Sequence, residues 1–117
     1  GQKAVLKQSD DNKDSFIELN LEYARSWAAV DRALKEALIT VNDLDRDQGV
    51  FFVEFSKQEE EKGFIRRLFS GESFKGKYQV IVQEVNDNTC MVTIVSDGED
   101  SKLYERDLLS EINQSLS

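Results

Sequence analysis

The segments of this chain that most resemble β-strands occur in pairs, and only a short polar turn separates the members of each pair. The first pair covers residues 41–45 and 50–55, and the second covers residues 78–85 and 89–95. Turns this short can join neighbouring strands only when the strands run antiparallel. The sequence therefore predicts two β-hairpins, and Gly49 is expected to supply the positive φ that the first turn needs.

A change to a helical apolar period marks one helix before the first hairpin and another after the second. The first is expected from about Ala24, with the hydroxyl of Ser26 as its N-cap. The second is expected from about Asp100 or Ser101. Each presents an apolar stripe that indicates packing on a core through one face. The stripes consist of Trp27, Val30, Leu34 and Leu38, and of Tyr104, Leu108 and Ile112.

These elements predict an α+β fold in which two helices cover one face of an antiparallel sheet. Residues 16–21 alternate between apolar and polar and are expected to form a strand before the first helix. A short helix is expected over residues 64–69, which gives the order β-α-β-β-(short α)-β-β-α. Residues 1–14 are interpreted as a linker or lead-in with a short extended piece at 4–6, and residues 15–117 as the domain.

The net charge and the missing residue types exclude several classes of function. The chain has 117 residues and a net charge of −8, which disfavours nucleic acids and anionic membrane surfaces as direct partners. It has no histidine and one cysteine, which excludes the usual zinc sites and His-based catalysis. Cys90 is expected to be a small buried side chain in the last strand. The sequence therefore predicts no catalytic residue, no metal site and no cofactor.

The first turn also carries the alternating carboxylates with which a calcium-binding EF-hand loop begins. Asp43, Asp45 and Asp47 alternate, and Glu54 falls at the twelfth position, where a bidentate ligand belongs. However, Gln48 occupies the sixth position, which needs glycine, and strand-like residues surround Glu54 where a helix is required. The favoured interpretation is a polar hairpin turn.

Two groups of apolar side chains are interpreted as a candidate protein-interaction surface, with burial inside the domain as the alternative. One group lies on the second strand of the first hairpin, on the face opposite Phe51, Val53 and Phe55. The other lies on the expected short helix, on both flanks of an arginine pair. The candidate residues are Val50, Phe52, Phe64, Ile65, Arg66, Arg67, Leu68 and Phe69.

Five segments together match the pattern of a known family. They are Ala24-Arg25-Ser26-Trp27, Val30-Asp31-Arg32-Ala33-Leu34, residues 40–53, residues 62–69 and Tyr78-Gln79-Val80-Ile81-Val82. In these segments the chain resembles the BamC family, lipoproteins of the outer-membrane β-barrel assembly (BAM) machinery. The resemblance covers most of residues 16–116 and is strongest to the carboxy-terminal globular domain of that family.

The resemblance implies a helix-grip fold, in which helices pack against an antiparallel sheet. It also implies an accessory, non-enzymatic subunit, anchored in the Gram-negative outer membrane through a lipid outside this segment and facing the periplasm, with surface exposure as an open alternative. The implied partners are other BAM subunits or outer-membrane protein clients. In the family, the contact with the BamD subunit comes largely from an extended amino-terminal segment, so this domain is not required to make it.

Two functions of other classes stay open from the sequence. A helix-grip fold can open an apolar cavity between helix and sheet, so a small-molecule or lipid-binding domain is the main alternative. An enzyme is the weakest of the three, because the residues of the usual catalytic arrangements are missing. A core that fills the space between helix and sheet would argue against the ligand-binding domain.

Overall fold

The structure, a computed structural model, describes residues 3–9, 14–58 and 73–117, with the side chains of Gln58, Ser73 and Phe74 outside that description. The strands are β1 Ala4–Gln8, β2 Ser15–Leu19, β3 Thr40–Asp45, β4 Val50–Gln58, β5 Ser73–Asn86 and β6 Thr89–Ser96. The helices are α1 Tyr23–Glu36, α2 Glu99–Lys102 and α3 Glu105–Leu116. The predicted α+β class with an antiparallel sheet is confirmed.

The strands form one six-stranded antiparallel sheet in the order β1-β2-β6-β5-β4-β3. Both predicted hairpins are present, as β3 with β4 and as β5 with β6. Strands β4 and β5 are also neighbours, with a ladder that runs from Val50 opposite Ile81 to Gln58 opposite Ser73. Strand β6 lies next to β2, so the second and last strands of the chain are neighbours inside the sheet.

One face of the sheet is buried under the helices. Phe51, Val53 and Phe55 of β4 are at most 5% exposed, as their alternation predicted. Burying one large apolar side chain stabilises a fold by about 1.5–3 kcal/mol, so this interface is the main apolar contribution to stability. The helices bury Trp27, Val30, Ala33, Leu34, Leu108, Leu109, Ile112 and Leu116 against it.

The amino terminus of α1 differs from the prediction at Ser26. The helix begins at Tyr23, and Glu22 occupies the N-cap position without a side-chain cap hydrogen bond. Ser26 lies inside the first turn, where it is buried and its hydroxyl donates to the carbonyl oxygen of Leu21 at 3.2 Å. The expectation that Ser26 caps the helix is wrong, because its hydroxyl satisfies a carbonyl of the preceding turn instead of an amide of the helix.

The carboxyl terminus of α1 closes in a Schellman motif. The Ile39 N–H donates to the Leu34 carbonyl at 2.9 Å, and the Leu38 N–H donates to the Lys35 carbonyl at 3.1 Å. Leu38 takes the left-handed position of this motif, with φ of 59°, and its side chain is 89% exposed. A leucine therefore stands where glycine is the usual residue.

The second predicted helix is divided into α2 and α3, which are separated at Leu103 and Tyr104. The hydroxyl of Tyr78 in β5 donates to the carbonyl oxygen of Ser101 at 2.6 Å, and this buried hydrogen bond ties α2 to the sheet. Within the described ranges, no helix is long and apolar enough to cross a lipid bilayer.

The amino-terminal lead-in contributes a strand to the sheet. The extended piece expected at residues 4–6 forms part of β1, which pairs with β2 from Ala4 opposite Leu19 to Gln8 opposite Ser15. The observed order therefore begins β-β-α, where the sequence predicted β-α. The short helix expected over residues 64–69 lies outside the described residues.

Candidate interaction surface

The turn of the β3–β4 hairpin is held against the middle of the sheet. Gly49 has the predicted positive φ, at 73°, and its carbonyl accepts from the Val82 N–H at 2.8 Å. A Cβ atom on Gly49 would lie 2.3 Å from the Val82 carbonyl oxygen, so this approach requires glycine. The Tyr23 hydroxyl donates to the Arg46 carbonyl at 2.6 Å and anchors the other end of the turn to α1. These contacts fix the register of β4.

That register sends alternate side chains of β4 to opposite faces of the sheet. Phe51 points to the helices and is 0% exposed, whereas Phe52 points to the opposite face and is 38% exposed. Val50 shares the face of Phe52 but is only 9% exposed. Of the two candidates on this strand, Phe52 therefore offers most of the accessible apolar area.

Phe52 is one end of a row of side chains across three strands. It lies opposite Gln79 in β5, and Gln79 lies opposite Val95 in β6. Val95 is 46% exposed. A hollow of about 210 Å³ opens beside this row, with Asn42 and Lys77 in its lining. The sheet face away from the helices thus has two exposed apolar side chains beside a small depression.

Charged side chains of both signs surround this row. Asp43 lies opposite Phe52 on the β3 side. Further along β4, the Glu54 carboxylate is 4.0 Å from the Lys75 ammonium group. Apolar side chains inside a polar border are the usual composition of a protein–protein interface. This arrangement can bury Phe52 and Val95 against a partner while the charges stay near water.

The remaining candidate residues lie outside the described part of the chain. They are Phe64, Ile65, Arg66, Arg67, Leu68 and Phe69. Their segment connects β4, which ends at Gln58, to β5, which begins at Ser73. The structure thus brings Val50 and Phe52 together on one strand and leaves the other six as expectations.

The residues weighed as a calcium loop form the hairpin instead. Asp43 and Asp45 belong to β3 and Glu54 belongs to β4. The Asp45 carboxylate accepts from the Gln48 N–H at 3.1 Å, which stabilises the turn from inside the chain. The prediction of a polar hairpin turn is confirmed. Cys90 is 0% exposed in β6, so its expected burial is confirmed as well.

Tyr78, the buried residue that holds α2 to the sheet, has a strongly raised pKa. Burial is the largest of the causes that raise the pKa of Tyr78 to about 12, and the nearby Glu105 carboxylate acts in the same direction. Burial also raises the pKa of Tyr23 above its ordinary value. Both hydroxyls donate to backbone carbonyls, so these tyrosines hold elements in place and are not poised for acid–base chemistry.

Sequence reasoning missed Val95. In β6, Cys90 and Val92 face the helices, and Met91, Thr93 and Val95 therefore face the other side. The alternation was visible in the sequence, but it could not show that β6 lies two strands from β4. Only the sheet order places Val95 in the same row as Phe52.

Comparison with known families agrees with these observations. A sequence profile described as "Outer membrane protein assembly factor BamC-like C-terminal domain" matches residues 5–117. The chain belongs to this family of BamC-like C-terminal domains. The resemblance seen in the sequence is therefore confirmed, and the match also includes most of β1. No curated protein matches the chain. Members of this family are outer-membrane protein assembly factors, which places the domain in the assembly of outer-membrane proteins.

Proposed function

We propose that this chain is a non-enzymatic protein-interaction domain of an accessory lipoprotein of the outer-membrane β-barrel assembly machinery. Membership in the BamC-like family supports the cellular setting. The observation that carries the interaction role is the exposure of Phe52 beside Val95, on the sheet face that the helices leave open. The packing of α1 and α3 on one face of an antiparallel sheet supports a helix-grip description of the fold.

The proposed surface is centred on Phe52, and residues 64–69 are assigned to it from their sequence. Val50 lies on the same face but adds little contact area, because its side chain is nearly enclosed. Phe64, Ile65, Leu68 and Phe69 add apolar area, and Arg66 and Arg67 add charges that can pair with a partner's carboxylates. Aromatic and arginine side chains are the residue types that most often dominate binding energy at interfaces.

The partners of this surface are other subunits of the assembly machinery or its outer-membrane protein clients. The domain works at the outer membrane, held there by a lipid anchor outside this segment and facing the periplasm. Its net charge of −8 supports a protein partner over a direct contact with anionic lipids.

A ligand-binding domain is less well supported, because side chains fill the space where such a cavity would open. Between α1 and the sheet, the rings of Trp27 and Phe51 are stacked with centroids 3.9 Å apart. Val30, Leu34 and Val53 are each at most 1% exposed around them. The packing in this region favours a structural core.

Site-specific photo-crosslinking in cells tests the proposal. A photo-crosslinking amino acid is placed at Phe52 in the full-length lipoprotein, and the control places it at Leu44 on the neighbouring strand. Leu44 is 47% exposed but lies opposite Phe51, on the other face of the sheet. We expect crosslinks to assembly subunits or clients from Phe52 and much weaker ones from Leu44. Equal crosslinking from both positions would contradict a specific surface at Phe52.

A second experiment tests the role of the whole domain. The full-length lipoprotein is purified with and without this domain through a tag outside it, and the co-purified proteins are compared. We expect at least one assembly subunit or client to be depleted when the domain is removed. Identical sets of partners would show that other parts of the lipoprotein make every stable contact.

A further inference from the structure

Strand β2 covers only the first half of β6. The ladder between them runs from Leu19 opposite Cys90 to Ile17 opposite Val92, whereas β6 continues to Ser96. On its other side, β6 is paired with β5 along its whole length. Beyond this ladder, Ser15 and Phe16 of β2 stay paired with β1, and within the described ranges no strand is hydrogen-bonded to the β2 side of residues 93–96. We call this step in the sheet the notch.

The backbone groups that point into the notch follow from the register. The Asp97 N–H donates to the Lys77 carbonyl at 3.0 Å, so Asp97 turns its backbone groups towards β5. Neighbouring residues of a strand turn theirs to opposite sides. The N–H and C=O groups of Ile94 and Ser96 therefore point away from β5 and into the notch. Among the described residues, no backbone partner meets them there.

A groove of about 470 Å³ opens beside the notch, with Ile94 in its lining. Its lining includes Phe16 at the start of β2, Val95 of β6 and Leu103 between α2 and α3. Leu103 is 77% exposed and Val95 is 46% exposed. The groove therefore combines unpaired strand backbone with apolar side chains on both of its sides.

Two cationic side chains, one from α2 and one from α3, line one side of the groove, which we call the helical wall. Lys102 and Arg106 both line it and are both exposed. In the part of the chain that the structure describes, neither forms an ion pair. The groove also contains two carboxylates, of which Glu105 accepts a hydrogen bond from the Ser96 hydroxyl and Asp14 lies next to the β2 end. The lining as a whole carries no net charge, and on the helical wall the two cations outnumber the Glu105 carboxylate.

We propose that the notch binds an extended, acidic-ended segment of a partner protein, which adds a short strand to β6. The alternating donors and acceptors of Ile94 and Ser96 match the backbone of another strand, as in peptide recognition by strand addition. Apolar side chains of the segment pack on Leu103 and Val95, and its acidic residue lies against Lys102 and Arg106. The inference names a site and a partner type beyond Phe52, and it shares Val95 with the surface proposed there.

Amide hydrogen exchange with a synthetic probe tests the proposal directly. The probe is a short blocked peptide of alternating valine and threonine with aspartate at one end. We expect the Ile94 and Ser96 amides to exchange quickly in the free protein and to slow when the peptide is added. A control peptide, N-methylated on alternate residues to remove the donors, should not slow them. Protection of both amides in the free protein, or equal binding of the methylated peptide, would overturn the proposal.

Charge reversal separates strand addition from non-specific adhesion. The double substitution Lys102→Glu and Arg106→Glu should weaken binding of the aspartate peptide roughly tenfold, since each exposed pair contributes modestly. It should strengthen binding of the same peptide with lysine in place of aspartate. If both peptides respond equally, the cations do not recognise the segment.

The apolar wall is tested with a pair of exposed leucines. Leu103→Asp should weaken peptide binding roughly fivefold or more, because apolar contact area is replaced by a like charge. Leu38→Asp changes an equally exposed leucine at the end of α1 and should leave binding unchanged. Phe52→Asp, which changes the other proposed surface, should also leave peptide binding unchanged. Loss of peptide binding in all three variants would contradict a site at the notch.

Discussion

The indole ring of Trp27 lies nearly parallel to the ring of Phe51, with their centroids 3.9 Å apart and their planes inclined by 16°. Trp27 belongs to the apolar stripe of α1, and Phe51 belongs to the inward face of β4. The contact joins the first helix to the hairpin that carries Phe52. The packing of the core therefore determines how the exposed face of the same strand is presented.

Phe51 and Phe52 are adjacent residues whose substitution we expect to destabilise the fold to very different extents. Phe51→Ala should lower the free energy of unfolding by about 3–5 kcal/mol, because it leaves a cavity under Trp27. Phe52→Ala should lower it by about 1 kcal/mol or less, because that side chain already contacts water. Denaturant unfolding followed by circular dichroism measures both. Similar losses of stability in the two variants would show that the two faces of β4 are not distinguished as described.

We expect every substitution of Gly49 to lower the free energy of unfolding, including replacement by asparagine, a residue that tolerates positive φ. Gly49→Ala has an expected cost of about 3 kcal/mol, since strain of about 1–2 kcal/mol in the left-handed region is joined by a collision with Val82. Gly49→Asn should cost nearly as much, because its Cβ meets the same carbonyl oxygen at 2.3 Å. Thermal unfolding of both variants checks this. A Gly49→Asn variant as stable as the parent would mean that φ alone, and not the close approach, demands glycine.

Leu38 is a non-glycine residue with a positive φ, and its replacement by glycine should stabilise the fold. Leu38→Gly should raise the free energy of unfolding by about 0.5–1 kcal/mol, because it relieves left-handed strain and the exposed side chain has little packing to lose. Leu38→Ala keeps the strain and serves as the control, with no gain expected. The comparison requires only the two midpoints of thermal unfolding. No gain in Leu38→Gly over Leu38→Ala would contradict the strain.

The raised pKa of Tyr78 predicts a loss of stability at alkaline pH. An unfolded tyrosine releases its proton near pH 10, whereas the buried Tyr78 keeps its proton until about pH 12. The folded state then binds more protons than the unfolded state, so the contribution of Tyr78 is complete below about pH 10 and falls as the pH rises towards 12. Unfolding free energies measured from pH 8 to 12 should show this decline.

The variant Tyr78→Phe isolates that contribution. It should lose about 1–3 kcal/mol at neutral pH, because the buried Ser101 carbonyl loses its donor. It should also decline less steeply above about pH 10 than the parent, because no phenol is left at this position to titrate. Tyr23→Phe is the matched control and should change the slope less, since Tyr23 is only partly buried. An unchanged slope in Tyr78→Phe would assign the alkaline loss to other groups.

Local pattern was sufficient to predict the individual elements of this fold. The alternation of Phe51, Val53 and Phe55 reports the buried face of its strand correctly. The stripe headed by Trp27 was correct for Val30 and Leu34 and wrong for Leu38, which lies past the end of α1 and is 89% exposed. The same patterns cannot report which strands become neighbours, because that depends on packing between distant segments. For this reason the pairing of β2 with β6 and the addition of β1 to the sheet were not predicted.

The candidate surface shows the same limit. Alternation correctly assigned Val50 and Phe52 to the face away from the helices, but exposure depends on neighbouring strands, and Val50 proved nearly enclosed. The notch was not visible in the sequence, because it arises where the β2–β6 ladder stops at Ile17 and Val92. Ser26 failed as a predicted cap for a related reason, since a serine near a helix start can bond to either neighbouring turn.

The pairing of Ile17 with Val92 has a consequence for the way the chain folds. Helix α1 and strands β3, β4 and β5 lie between these two strands in the sequence, so loop-closure entropy opposes their contact until those elements are in place. Folds rich in such distant contacts reach the native state in milliseconds to seconds instead of microseconds. During synthesis, β2 has no partner strand in β6 until the chain has been extended past Thr89. Ile17 and Leu19, which are fully buried in the native fold, remain without their partner strand for that period, and exposed apolar segments of this kind are prone to aggregation.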